Sequence, residues 1–499
     1  MSFLVHDILE HAARTWPDNV AVVEAGNDGA KYTYSYVSEE AERVHVFLKN
    51  SGVLKGERVG LLSRTSLEYV AWIFGICKAG AVAVPLNNTA TAPDLARVAD
   101  DCGLCGIFFS KEYRDKADAA VKCVSGVKFA VEGLPSGDIM GHHRPSGPGA
   151  KDPDDIAMIM YTSGSTGEPL GVMLSNRNIV SNNRSIARYT HINSEDSICC
   201  VLGLNYIFGL SLLFSHFIVG GSLVMDNRFQ YPNMVLETME TFRVSGFAGV
   251  PSHYAILLNM SDIKTRKLPY LRYFLQAGDS MPPRITRELL EYFPDKHLYL
   301  MYGQTEASPR LTYLDPKKAI TKPDSVGQAI PGVKVRVVDE EDRECQAGEE
   351  GMIVAKGDNI TKGYWNNPGE TSKVIRNGWL YTGDIGKKDK DGDIYIVGRK
   401  KNLIKSGGRL ISPVEIEHTA VEHPGVMEAA VIDMPDMTMG SKLKLYIVPA
   451  GDVPVTTDGI MEFLRTRLQP YKMPGEIVLI DSLPKSDSSK IDKKKLRCI

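Results

Sequence analysis

No stretch of this chain is apolar for long enough to cross a membrane. The opening Met1-Ser2-Phe3-Leu4-Val5-His6-Asp7 lacks the basic segment and apolar core of a secretory leader. The expectation is a soluble, cytoplasmic protein with no membrane span. Charge of one sign is not in excess either, since 58 Lys and Arg stand against 61 Asp and Glu for a net of -3. That balance supplies no general attraction to nucleic acid, so no nucleic-acid partner is expected. Cysteine is sparse, with eight in 499 residues, which excludes a disulfide framework. Cys102 and Cys105 form a lone CxxC without the second pair that a zinc site needs, and the adjacent His142-His143 has no acidic or thiol neighbour in sequence. What remains is an ordinary globular composition, 43% hydrophobic, too long for one compact core.

The first hundred residues alternate helical and extended patterns. Asp7 to Thr15, Ser38 to Ser51 and Leu67 to Lys78 carry helical periodicity, while Val20 to Val23, Arg58 to Leu62 and Ala81 to Leu86 read as strands. Such alternation predicts an α/β fold with a mostly parallel, doubly wound sheet. A loop rich in Gly, Pro, Ser and Asp, from Leu134 to Asp155, leads to the apolar run Ile156 to Met160. After that run comes Tyr161-Thr162-Ser163-Gly164-Ser165-Thr166-Gly167-Glu168-Pro169-Leu170-Gly171, and then a helix pattern from about Asn176 to Arg188 that begins near Ser175. Glycines let backbone N–H groups approach an anion, and four hydroxyls add donors, so one reading is a phosphate cradle. The same composition also suits a flexible turn.

Further along, Cys199 to Met225 reads as a buried helix flanked by strands, interrupted by Asn205-Tyr206 and Gly220-Gly221. Gly246 to Pro251 and Tyr273 to Ser280 are extended runs that end in small residues. Leu298 to Glu306 ends in an aromatic, a glycine, a hydroxyl and a carboxylate in quick succession. A nucleotide base, a phosphate and a divalent metal would all find partners there.

Taken together, Thr162 to Pro169 and Tyr302-Gly303-Gln304-Thr305-Glu306 resemble signatures of the adenylate-forming superfamily, which includes acyl-CoA synthetases, carrier-protein adenylation enzymes and luciferases. Further matches follow in that superfamily's order: Gly363-Tyr364-Trp365, Trp379 to Asp384, Gly398 to Gly408, Ile411 to Glu417, and Pro484 to Asp492. The resemblance covers essentially the whole chain. It implies a large N-terminal domain over residues 1–398 of doubly wound mixed sheets with helices. A hinge at 399–401, turning about Lys401, would lead to a small mobile α+β domain over 402–499.

The resemblance also implies ATP, Mg2+ and coenzyme A, or a carrier protein's phosphopantetheine, acting on a small-molecule carboxylic acid. By it, Thr305 and Glu306 would meet phosphate and metal, and Lys490 would bridge the acyl carboxylate and the α-phosphate. Tyr302 would stack on adenine opposite Gly278-Asp279-Ser280, while Asp384 and Arg399 would hold the ribose. Thr162, Ser163, Gly164, Ser165, Thr166 and Gly167 would clamp the leaving phosphates, with Gly303 and Gln304 beside them. Tyr206, Phe247, Gln276, Ala277 and Ser308 would line the acyl pocket, and the strand from Lys405 with Gly407 and Gly408 would face the thiol. Three departures stand out. Leu170 takes the place of a lysine in the phosphate loop, and Ser489 takes the place of a glycine before Lys490. Ile207 falls where amino-acid-activating relatives carry an aspartate, which favours an apolar or aryl acid because an ammonium there would be unpaired. Carrier-protein loading and a catalytically impaired nucleotide-binding relative are the alternatives.

Overall fold

A computed structural model describes residues 4–135, 152–163, 169–436, 440–451, 453–486 and 490–497. His142-His143, the phosphate-loop residues Gly164 to Glu168, Ser489 and Cys498 therefore lie outside the described residues. Among those described, no helix is long and apolar enough to cross a membrane.

Two large sheets carry the N-terminal part. The six-stranded one is ordered Phe129–Glu132, Leu104–Phe109, Arg58–Leu62, Val82–Pro85, Ile156–Ser163, Pro169–Ser175. Its strands are parallel except for the last pair, an antiparallel hairpin that brings Ser163 opposite Pro169. The fourteen-stranded sheet has a parallel half formed by Val20–Glu24, Ser222–Met225, Ser197–Cys200, Gly246–Gly249, Tyr273–Gln276 and His297–Gly303. It continues antiparallel from Arg310–Tyr313 to the pair Val333–Val338 and Glu350–Gly357. Val20–Glu24 and Arg58–Leu62 belong to different sheets, and apolar helices fill the space where the two sheets share one core. The all-round apolar helix Leu67–Ala79 illustrates this, since nearly every side chain in it is buried. Helix Tyr34–Asn50 crosses it so closely that a Cβ added at Gly75 would stand 2.6 Å from the Ala41 carbonyl oxygen.

Helix starts follow their caps. Ser175 caps Asn176–Thr190 with a reciprocal Asn178 contact. Thr33, rather than the Ser38-Glu39-Glu40 run, starts Tyr34–Asn50, its hydroxyl accepting from Tyr36 N–H. The C-terminal part has a three-stranded sheet, Val426–Asp436, Gly440–Pro449 and Glu476–Leu479, covered by helices Pro413–Val421 and Thr457–Arg465. Arg284 of the large part anchors it, donating to the carbonyls of Val421, His423 and Val426 at 2.9–3.0 Å. The architecture is the expected mixed α/β one, a large N-terminal and a small C-terminal domain.

Two further sequence expectations change. Lys405 to Ile411 is a hairpin, Ile404–Ser406 with Arg409–Ile411, and not one strand. Gly407 and Gly408 form its turn with φ of 54° and 77°, a conformation that favours glycine. Phe247 is 0% exposed and packs against Tyr254 and Phe229 on the sheet face opposite Ala248, in a core separate from the one that holds Tyr189 and Phe208. It belongs to that core and not to an acyl pocket, because alternate residues of a strand face opposite layers.

Candidate active site

Parallel strands deliver their C-terminal ends to one crevice, where open α/β sheets present loops to ligands. Tyr273–Gln276 runs into Ala277-Gly278-Asp279-Ser280, and His297–Gly303 into Gln304-Thr305-Glu306. Gln276 is buried and donates its amide to the Asp279 carbonyl at 2.9 Å, fixing the first loop from within. In the second loop a single 3-10 turn, Thr305–Ala307, carries the threonine and glutamate, and Ser308 follows in the left-handed region.

Asp384 is the centre of a polar cluster. It lies on the long strand Trp379–Lys388 and is 6% exposed. Its Oδ2 accepts from Tyr302 Oη at 2.7 Å and its Oδ1 from Arg399 Nε at 3.1 Å. Arg399 reaches the cluster because its strand, Ile394–Arg399, pairs Arg399 directly with Asp384, and its Nη2 extends to Gln304 Oε1 at 3.5 Å. Burial and the Asp384 carboxylate together push the Tyr302 phenol well above its ordinary pKa, so it stays a donor. Glu306 is oriented separately. Its Oε1 accepts from Tyr364 Oη at 2.8 Å, and its carbonyl accepts from Thr361 N–H at 2.9 Å. Tyr364, from the Gly363-Tyr364-Trp365 motif, had no role assigned from sequence; its link to Glu306 spans 58 residues and only the fold supplies it.

Lys490 comes from the C-terminal part and lines a cleft together with Val250, Asp279, Ser280, Glu417 and Ile491. Gly278, at φ +99°, makes room for it, since an added Cβ would lie 3.4 Å from Lys490 Cε and 3.1 Å from Val250 Cγ1. The lysine keeps solvent access yet stands deep among protein atoms. That desolvation lowers its pKa, Arg399 adds to the effect, and Asp279 and Asp384 oppose it. Lys401, in the turn Lys400–Asn402, is exposed and does not enter the cluster.

The arms of the phosphate-loop hairpin are described and its tip is not. Thr162 pairs with Leu170, and its hydroxyl donates to the Leu170 carbonyl at 3.5 Å, while the Leu170 side chain packs against the main core. On the acyl side, Tyr206 caps helix Ile207–Val219, and Ser308 is 0% exposed with Oγ lacking a partner among the described residues. Asp389, Asp391 and Asp393 converge elsewhere, but Lys322 Nζ bonds to all three at 2.6–2.7 Å, making this an ion-pair network.

The site thus gathers a buried carboxylate held by a phenol and a guanidinium, a glutamate held by Tyr364, and a lysine within electrostatic reach of Asp384 and Asp279. Comparison with known proteins agrees with the family resemblance. The family model for AMP-binding enzymes matches residues 9–365, and that for the AMP-binding enzyme C-terminal domain matches 415–490. Feruloyl-CoA synthase of Amycolatopsis sp is 32% identical over 97% of this chain and 96% of its own length. Long-chain-fatty-acid–CoA ligase of Salmonella typhimurium is 29% identical over 98% and 93%. Among solved structures, o-succinylbenzoate CoA synthetase of Bacillus subtilis, bound to its acyl-adenylate intermediate, superposes with TM-score 0.85 at 26% identity over 98% and 97% of the two chains. Anthranilate CoA ligase in complex with anthranoyl-AMP gives 0.89 at 26% identity over 99% and 96%. The chain belongs to the adenylate-forming family of AMP-binding enzymes.

Proposed function

We propose that this protein is an AMP-forming acid–CoA ligase. The observation that carries the reading is the convergence of Asp384, Tyr302 and Arg399 with Thr305-Glu306, faced by Lys490 from the other domain. In the first step a carboxylate oxygen attacks the α-phosphorus of ATP, and the bond to the β-phosphate breaks so that pyrophosphate leaves with the electron pair. In the second a thiol sulfur, having lost its proton, attacks the acyl carbon and AMP departs.

Both reactants of the first step are anions, so the site's task is to hold them together and offset the charge. Asp384 accepts from the ribose hydroxyls, its geometry already fixed by Tyr302 and Arg399. The Tyr302 ring is presented to adenine by the same bond, with Gly278-Asp279-Ser280 on the other side. Thr305 donates to phosphate. Glu306 uses one oxygen for Tyr364 and leaves the other for magnesium, which when bound neutralises phosphate charge. Lys490, as the ammonium, bridges carboxylate and α-phosphate. Thr162 and the loop beyond it hold the pyrophosphate side, where Leu170 supplies no cation.

Rotation about 399–401 would withdraw Lys490 and bring the Ser406–Arg409 turn forward for the thiol step, its paired glycines admitting a pantetheine arm. Coenzyme A is favoured as acceptor because relatives spanning the same length carry CoA ligase names. An apolar or aryl acid is favoured over an α-amino acid because Ile207, at the start of its helix, offers an ammonium nothing. The test is product mass analysis after incubation with ATP, magnesium, a panel of acids, and either coenzyme A or a holo-carrier protein. Acyl-CoA with AMP supports the reading; ADP, or acylation of the carrier alone, contradicts it.

A further inference from the structure

Arg310 is a cation that the chemistry above does not use. It opens the strand Arg310–Tyr313, four residues beyond Glu306, and is 3% exposed. Among the described residues no carboxylate forms an ion pair with it. Its guanidinium has a thioether, a ring and a phenol for neighbours: Nε donates to Met301 Sδ at 3.4 Å, Cζ stands 4.3 Å from the Phe208 ring centroid, and the Tyr189 hydroxyl adjoins it. Burial lowers its pKa, and only Tyr189 opposes that. The fold nevertheless fixes this residue firmly. Its N–H donates to Asn182 Oδ1 at 3.2 Å, and its carbonyl accepts from Asn182 Nδ2 at 2.8 Å and Asn359 Nδ2 at 2.9 Å.

A guanidinium withdrawn from water without a counter-charge loses more than one aromatic face and one thioether return. Its surroundings say which anion completes it. Phe208 is the second residue of the helix that Tyr206 caps. Ser308, two residues before Arg310, is fully buried with an unpartnered Oγ. With Tyr206 and Ser308 on the acyl side, as the family resemblance implies, Arg310 lies behind that side through its contact with Phe208. We propose that Arg310 binds a second carboxylate at the far end of the acyl substrate, so that the acid activated here is a dicarboxylic acid. A guanidinium fork matches a carboxylate through two parallel N–H donors. The same cation repels an α-ammonium, in accord with Ile207. The inference rests on the acid–CoA ligase reading and narrows its substrate class from apolar or aryl acids to those bearing a second acidic group.

The experiment compares kcat/KM in pyrophosphate exchange for straight-chain and benzene-ring dicarboxylic acids, each against the monoacid lacking the second carboxylate. Wild type, Arg310→Met and Arg310→Lys are measured, with the KM of each acid taken separately. The expected result is a wild-type preference for at least one diacid over its monoacid. In Arg310→Met that ratio falls on the order of 100-fold, chiefly through KM, the size expected when one partner of a buried charge pair is removed. Arg310→Lys recovers part of it. A wild-type preference for the monoacid in every pair overturns the inference even if Arg310→Met does not fold. So does an equal loss for both members of a pair, which marks Arg310 as a structural cation resting on Phe208. Absence of exchange with every acid, in a protein that still binds ATP, overturns the ligase reading itself.

Discussion

Replacing Asp384 by Asn separates the nucleotide role of this carboxylate from its structural one. The side chain is 6% exposed and holds two internal bonds, from Tyr302 Oη at 2.7 Å and Arg399 Nε at 3.1 Å. An asparagine keeps Oδ1 as an acceptor for Arg399, and Tyr302 can reverse its bond by accepting from the new Nδ2. The free protein therefore loses little, because Arg399 is itself half-exposed and water screens it. The ribose is treated differently. One of its hydroxyls loses its acceptor, and the remaining bond falls from the charged class, about 1.5–3 kcal/mol, to the neutral class, about 0.5–1.5 kcal/mol. The sum is roughly 3.5 kcal/mol, or about a 300-fold weaker affinity. Isothermal titration should show ATP and AMP losing the same factor, since they share the ribose, while inorganic tripolyphosphate is unaffected. An ATP affinity within threefold of wild type, in a folded Asp384→Asn protein, would refute the reasoning.

Lys490→Ala should abolish acyl-adenylate formation yet spare thioester formation from supplied acyl-adenylate; equal loss of both steps contradicts a lysine that serves only the first. Because desolvation lowers the Lys490 pKa, and the ammonium is the working form, kcat/KM should fall as pH rises through a midpoint below the usual ~10.4. Lys490→Arg should remove that limb from the profile. Leu170→Lys should tighten ATP binding about fivefold, the equivalent of about 1 kcal/mol for a partly exposed charge near phosphate, and unchanged binding would place the hairpin elsewhere than at the pyrophosphate. Gly75→Ala should destabilise the N-terminal domain by about 1–3 kcal/mol, read as a lower melting midpoint, because its Cβ would meet Val44 Cβ at 2.5 Å and the Ala41 carbonyl oxygen at 2.6 Å.

Local patterns carried most of the fold into the sequence. The helix from Asn176 and the strands Arg58–Leu62 and Tyr273–Gln276 stand where periodicity places them, since each is short, bounded by turn residues and buried on at least one face. Helix Tyr34–Asn50 begins four residues before its expected start because Thr33, ahead of an aromatic-rich first turn, is the cap. Partition of the strands between two sheets was not legible, as nothing local distinguishes Val20–Glu24 from Arg58–Leu62. The nucleotide-side residues were legible only as motifs; the bond from Tyr302 to Asp384 joins strands 82 residues apart in the chain. Phe247 falls in a pocket segment by the family resemblance, and strand alternation sends its side chain to the opposite layer. Arg310 escaped notice for the converse reason. Its burial arises where a helix near Tyr189, another near Phe208 and the strand carrying Met301 meet, and no single stretch records that meeting.

The central claim is that these residues activate a carboxylic acid as its adenylate. Acid-dependent exchange of labelled pyrophosphate into ATP measures that step alone, before any thiol is involved. The account predicts exchange that requires both magnesium and a carboxylic acid, and that disappears in Lys490→Ala. Exchange that proceeds without any acid, or that survives Lys490→Ala intact, would contradict it.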